Sequence, residues 1–186
     1  DLSSLPGVAR VTAAERRLLD AQYFDTAETS LARAGVALRR RTGGPDAGWH
    51  IKGPLVDGAR VELQWPLGEG PQDAAPPAVL DAVAEMVDIG DAALTPLARI
   101  RNERDCYHLL DAAGGVLAEL ADDHVATRDE RVGTERAWRE WELELGPAHT
   151  SDRDAFFAAA ARATAAAGAR PAASSSKLAR ALAPAD

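Results

Sequence analysis

A mainly antiparallel β fold with a few helices at its edges, of the α+β class, follows from three observations. Several segments alternate apolar and polar residues with the period of two that a half-buried strand needs: Val36–Arg41, Arg60–Pro66 and Ala137–Leu145. The breaks between candidate strands are short and rich in Gly, Pro and Asp, as in 42–48 and 111–115, which suits hairpins rather than parallel crossovers. Helical patterns are few and lie between or after the strands. Counting segments gives roughly seven or eight strands.

The elements follow in order. The opening, 1–12, reads as a loop with a turn at Pro6-Gly7 and a short strand at Val8–Val11. Residues Glu15–Phe24 read mostly as strand. Thr26–Ala34 is expected to be a short helix, capped by Thr26 or Asp25 and closed by Gly35. In Val36–Arg41, alternation puts Val36, Leu38 and Arg40 on one face and Ala37, Arg39 and Arg41 on the other. After the hairpin loop, Trp49–Gly53 returns and Pro54 is expected to end it. In Arg60–Pro66, Val61, Leu63 and Trp65 oppose Arg60, Glu62 and Gln64.

Pro71–Pro77 reads as a linker. Ala78–Val87 is an amphipathic helix carrying Val79, Leu80, Val83 and Met86 at helical spacing. A long strand is expected over Leu97–Leu110 and another over Val116–Asp122. Asp122 and Asp123 look like a strand end with a turn, followed by a strand near His124–Thr127 and a charged loop to Arg136. Ala137–Leu145 alternates again and aligns Glu140, Glu142 and Glu144. An Ala-rich helix is expected from a Ser151 or Asp152 cap to Gly168, and a last short helix over Ser174–Leu182, with Ser174–Ser176 as its cap and Lys177 in its first turn. No internal repeat is apparent.

Bulk properties exclude several classes. The 186 residues suit one domain with a real core. A net charge of −8 and a pI near 5.0 argue against a general nucleic-acid surface, so any polyanion site has to gather its cations locally. Cys106 is the only cysteine, which rules out an internal disulfide and a thiolate zinc cluster and fits a reducing cytoplasm. No apolar run reaches the roughly 20 residues of a membrane helix, and no signal peptide is visible. The chain opens on Asp1 and its only methionine is Met86, so its start is expected to lie downstream of the translation start.

The charges inside the strands carry the functional signal. Arg39/Arg41, Arg60/Glu62, Arg99/Arg101 and Glu140/Glu142/Glu144 recur at i, i+2, and Lys52 arrives on the strand next to Arg39 and Arg41. Like charges so placed repel, and a surface strand gains little from them. Turned inward in a closed sheet, they would give a barrel whose lumen sets Arg and Lys against Glu. Such a lumen would take a polyphosphate on its cations and a divalent metal on its carboxylates. His50, His108, His124 and His149 lack metal-ligand spacing and read as structural or surface residues. Trp138 and Trp141 have opposite parity and read as packing.

At these residues the chain resembles the CYTH domain family, the triphosphate tunnel metalloenzymes. The resembling motifs are Tyr23-Phe-Asp-Thr26, Leu38-Arg-Arg-Arg41, Trp49-His-Ile-Lys52, Arg101-Asn-Glu-Arg104, Leu117-Ala-Glu-Leu120, Glu140-x-Glu142-x-Glu144 and Ser176-Lys177-Leu178. Their order and spacing span nearly the whole chain. The resemblance implies an eight-stranded closed antiparallel barrel with peripheral helices. It implies that Arg39, Arg41, Lys52, Arg104 and Lys177 hold phosphate oxygens, with Arg101 joining them only if a bulge turns it inward. Glu62 and Glu119 would orient those cations or assist the metal. Glu140 and Glu142 would bind Mg²⁺ or Mn²⁺, with Glu144 as the alternative partner if the register slips by two.

What this implies is a cytoplasmic triphosphatase, most simply acting on inorganic tripolyphosphate, with no nucleic-acid or membrane partner. The rivals are a polyphosphate-binding module with little turnover, a thiamine-triphosphatase and a class IV-type adenylate cyclase. One departure stands out. The family's N-terminal Glu-x-Glu-x-Lys strand, whose lysine is expected to activate water, matches nothing in 1–17, and it is expected upstream of Asp1. The whole of 1–186 is expected to be one CYTH domain. Residues 171–186 would be a linker toward a downstream domain, because Ser-Lys-Leu-Ala-Arg-Ala-Leu resembles the junction to a helical CHAD domain.

Overall fold

The β3–β4 hairpin is dictated by its own loop. In the computed structural model, β3 spans Ala37–Thr42 and β4 spans Gly48–Val56. Gly43 and Gly44 make the turn between them at φ 77 and 75, a conformation that costs glycine nothing and other residues a clash. Gly43 also runs against the Leu18 carbonyl, where a Cβ has no room. The structure describes residues 1–56, 59–68, 71, 74–148, 152–172, 174 and 176–184, with backbone only at 55, 56 and 59. His149, Ser151 and Ser175 lie outside the described residues.

The remaining strands are β1 (Arg10–Val11), β2 (Glu15–Asp25), β5 (Ala59–Trp65), β6 (Thr95–Leu110), β7 (Val116–Asp129) and β8 (Glu135–Leu145). The helices are α1 (Ser30–Arg33), α2 (Pro77–Met86), α3 (Arg153–Ala166) and α4 (Lys177–Ala181), with a 3-10 turn at Leu2–Ser4. The strands form one eight-stranded antiparallel sheet in the order β5-β4-β3-β2-β6-β7-β8, with β1 paired to β6. Closure into a barrel was the expectation; what the structure gives is this sheet order, with β5 and β8 at its ends.

The chain packs as two compact units, each with its own core. One comprises Leu18–Asn102, Val125–Ala137 and Ser176–Asp186. Its register pairs Phe24 with Leu38, Leu38 with Ile51, and Ile51 with Leu63. Cross-strand partners share a face, so these side chains pack together, against Leu31 of α1 and Val79 and Val83 of α2. Phe24 and Trp49 meet at 5.3 Å between ring centroids. The other unit comprises Asp1–Arg17, Glu103–His124 and Trp138–Ser175. There Leu109, Ala118 and Leu120 pack under Phe156 and Ala160, which share a face of α3 one turn apart. Asp152 caps α3 by accepting from the Asp154 and Ala155 amides.

Three local expectations need correction. β4 does not end at Pro54 but continues to Val56, because a register shift between Lys52 and Leu55 absorbs the residue that has no N–H to pair. β7 does not turn at Asp122 and Asp123. Asp122 is bonded to Arg139 and Asp123 to Arg104, so both charges are compensated inside a continuous strand. The α1 helix is a single turn, Ser30–Arg33. Its N-cap position is Thr29, not Asp25 or Thr26; Asp25 at the end of β2 accepts from the Leu31 and Ala32 amides at 2.9 and 3.0 Å, and the Thr26 hydroxyl accepts from the Ser30 amide.

Candidate functional site

The face of β2–β5 opposite the apolar core is cationic. Pairing sets Tyr23 beside Arg39, Arg39 beside His50, and His50 beside Gln64. One pair along, Ala37 sits beside Lys52 and Lys52 beside Glu62, while Arg41 lies between Ala21 and Gly48. Arg39, Arg41 and Lys52 therefore project to the same side of the sheet, as the period of two requires. Arg41 is 9% exposed and His50 8%. Burial this deep is uncommon for arginine and needs a counter-charge.

Part of that counter-charge is local. Lys52 Nζ lies 3.1 Å from Glu62 Oε1, and Arg41 is ion-paired with Asp46 in the hairpin loop. Arg39 differs. Its Nη1 donates to the Tyr23 hydroxyl at 3.3 Å, and its buried Nε has no hydrogen-bond partner. A buried guanidinium nitrogen left in that state favours an incoming anion.

His50 is the residue that sequence reading undervalued. Burial first, then the charges of Arg39, Arg41 and Lys52, pull its pKa from the usual range down to about 4, with Glu62 opposing. The imidazole is thus neutral at pH 7. Its Nε2 lies 2.9 Å from the Asp46 carbonyl. A carbonyl can only accept, so Nε2 carries the hydrogen and Nδ1 keeps its lone pair. The available signal was parity: His50 lies two residues from Lys52, on its face.

In the other unit, the sheet face away from α3 holds an acidic cluster. Asp123, Glu140 and Glu142 bring carboxylate oxygens within 4.8 Å of one another. Asp123 is fully buried and accepts from Arg104 Nε and Nη2 at 2.7 Å each. Arg104 Nη2 also donates to Glu142 at 2.7 Å, and the Trp138 indole donates to Glu140 at 2.6 Å. Burial works against the Arg104 charge, but Asp123 and Glu142 outweigh it and hold its pKa above the ordinary arginine value. An all-oxygen donor set of this kind suits Mg²⁺ or Mn²⁺ rather than a soft metal.

The other expected residues are placed as follows. Glu119 lies apart from the acidic cluster: His108 Nε2 is 3.0 Å and Arg17 Nη1 3.6 Å from its Oε2. Glu144 is exposed and, like Glu62 and Glu119, is not in the acidic group found among the described residues. Arg101 is exposed with Arg99, while Ile100 and Asn102 are buried. Its guanidinium lies 3.5 Å from Asp20, which Arg99 grips through two bonds. The alternation of β6 thus puts Arg101 with Arg99 on the face opposite Ile100 and Asn102. Lys177 is half-buried at the start of α4, whose cap is Ser176. Sequence reading took Asp123 for a turn residue that could reach the rim of a site; it lies instead within β7, as the fully buried member of the carboxylate group. Cys106 is 1% exposed, and burial pushes its thiol up to about 11.

The Leu-Arg-x-Arg, Trp-x-x-Lys and Glu-x-Glu motifs that carry the resemblance lie on β3, β4 and β8. The CYTH domain signature matches residues 3–172, and the chain belongs to the CYTH domain family. The uncharacterized proteins Rv2226 and MT2285 of two Mycobacterium tuberculosis strains are each 41% identical over 192 residues, covering 96% of this chain. The chain spans 36% of the length of those relatives. The crystal structure of a putative adenylate cyclase from Bacillus halodurans superimposes with a TM-score of 0.58 at 16% identity, over 94% of this chain and 96% of that one. At that identity the likeness concerns the fold. No helix among the described residues is long and apolar enough to cross a membrane.

Proposed function

We propose that this chain binds a triphosphate, inorganic tripolyphosphate in the first place, and hydrolyses it with a divalent metal. The observation that carries the reading is the shared face of Arg39, Arg41 and Lys52, with the neutral His50 among them. Three cations with so much of their surface withdrawn from water are poorly explained by solubility. They are well explained by a polyanion that repays their desolvation. Membership of a family made up largely of triphosphatases points the same way.

In this reading the sheet closes as the family's tunnel. Arg39, Arg41 and Lys52 hold phosphate oxygens, and Arg104 and Lys177 extend the cradle. Tyr23 fixes the orientation of Arg39, and Glu62 and Glu119 orient cations. Asp123, Glu140 and Glu142 would hold Mg²⁺ or Mn²⁺, which when bound polarises a phosphoryl group and offsets charge in the transition state. The arginines bind and align but take no proton from water, because guanidinium stays charged. Water activation belongs to the family's Glu-x-Glu-x-Lys strand, upstream of the motifs seen here.

A second reading, a polyphosphate-binding module with little turnover, is favoured by the tail at 176–182, which resembles a junction to a CHAD domain, and by the greater length of the relatives. One experiment separates the two. Phosphate release from tripolyphosphate with Mg²⁺ is compared between this chain and a form extended at its N-terminus, with binding followed by calorimetry. Turnover by the extended form supports the hydrolase. Binding without turnover by either form leaves only the binding module. Cyclic AMP rather than phosphate from ATP would point to the cyclase.

A further inference from the structure

The β3–β4 loop lies against the cationic face that it connects. The main-chain oxygen of Asp46 accepts from His50 Nε2 at 2.9 Å, Arg41 Nη2 at 3.3 Å and Gln64 Nε2 at 3.5 Å. Its carboxylate is paired with the Arg41 guanidinium. The two partners are unequal: the Arg41 side chain is 11% exposed and that of Asp46 51%. One is built into the sheet. The other is a half-exposed anion on a loop that also contains Gly43 and Gly44.

We propose that Asp46 is a resident competitor for the anion seat on Arg41, so that a polyphosphate must displace this carboxylate before its oxygens can engage that guanidinium. The proposal rests on the functional reading above. Carboxylate and phosphate oxygens use the same planar N–H fork of arginine, so both cannot hold the same edge of Arg41. The carboxylate brings a single charge from an exposed position, whereas tripolyphosphate brings several and is met by Arg39 and Lys52 as well. The exchange therefore favours the polyanion, but every binding event bears the cost of parting Asp46 from Arg41. The carboxylate shields a buried guanidinium when no ligand is present and lowers the affinity for anions that engage only Arg41. The backbone carbonyl, bonded to three side chains, keeps the loop against the sheet while the carboxylate moves.

The test is calorimetric binding of tripolyphosphate by the full chain near physiological salt, where distant charges are largely screened. Asp46→Asn keeps the shape and the carbonyl and removes the charge. It is expected to bind roughly two- to fivefold more tightly, the range that a half-exposed ion pair supplies. Asp81→Asn, the same charge change at an exposed position on α2, should leave affinity unchanged. In an Arg41→Ala background the gain from Asp46→Asn should vanish. A merely structural Asp46 can only lose affinity when altered, so unchanged or weaker binding overturns the proposal. So does a gain that persists without Arg41, or one matched by Asp81→Asn. If Asp46→Asn does not fold, the ¹³C resonance of the Asp46 carboxylate in the wild type gives the answer: it should move as tripolyphosphate saturates, and a fixed resonance overturns the proposal. Failure of the wild type to bind tripolyphosphate would sink the functional reading itself, whereas the outcomes with Asp46→Asn bear on Asp46 alone.

Discussion

Arg39 of β3 pairs with His50 of β4, and the guanidinium is among the charges that keep the imidazole neutral. This pairing brings a half-buried cation against a buried base on the face proposed to bind phosphate. Its consequences for pH follow from the sign of the His50 shift.

His50 in the unfolded chain titrates near the usual value of about 6.5, and in the fold at about 4. Between these values the unfolded state binds more protons, so stability is complete above the upper value and falls as pH drops through the window. Thermal melts at several pH values between 7 and 4 should therefore show a shallower acid decline for His50→Gln than for the wild type. Equal slopes would mean that the imidazole is not held neutral.

Removing Arg39 should weaken ligand binding far more than it weakens the fold. A charged hydrogen bond contributes about 1.5–3 kcal/mol, so Arg39→Ala should lose roughly ten- to a hundredfold in tripolyphosphate affinity. Its buried Nε has no partner to lose. Calorimetry alongside thermal melting measures both. A large drop in melting temperature with unchanged affinity would make Arg39 a structural residue.

Arg104 and Asp123 should behave as a coupled pair. Asp123 is fully buried and relies on two bonds from Arg104. Arg104→Ala takes two charged hydrogen bonds from a buried carboxylate and should cost about 3–5 kcal/mol in denaturant unfolding. The double variant with Asp123→Asn should recover part of the loss, because the buried charge that Arg104 offsets is removed together with it. Additive losses would show that the two do not interact.

Metal affinity should discriminate among the glutamates of β8. Glu142→Gln removes a member of the group with Asp123 and Glu140 and should lower Mn²⁺ affinity about tenfold or more, read by paramagnetic resonance. Glu144→Gln, at an exposed position, should change it little. The reverse order would shift the metal to the neighbouring pair of carboxylates.

The alternating strands were legible because their period is local. Leu38 and Ile51 against Arg39, Arg41 and Lys52 can be read from parity alone, and the hairpin between them from its glycines. The length of β7 was not, because Asp122 and Asp123 look like a turn until Arg139 and Arg104 are known to sit beside them. Nor was the course of β4 past Pro54, which depends on a register shift against β5.

By itself the sequence determined which residue types share a strand face, and with them the family and the kind of ligand its cations suit. Alternation along a strand is covalent geometry and needs no partner. Only the tertiary structure decided which charges meet: Asp123 rather than Glu144 beside Glu140 and Glu142, Asp46 on Arg41, and a neutral His50 among arginines. Those outcomes depend on register, burial and the distance between residues far apart in the chain, and an electrostatic interaction is set by that distance and by how much water has been removed.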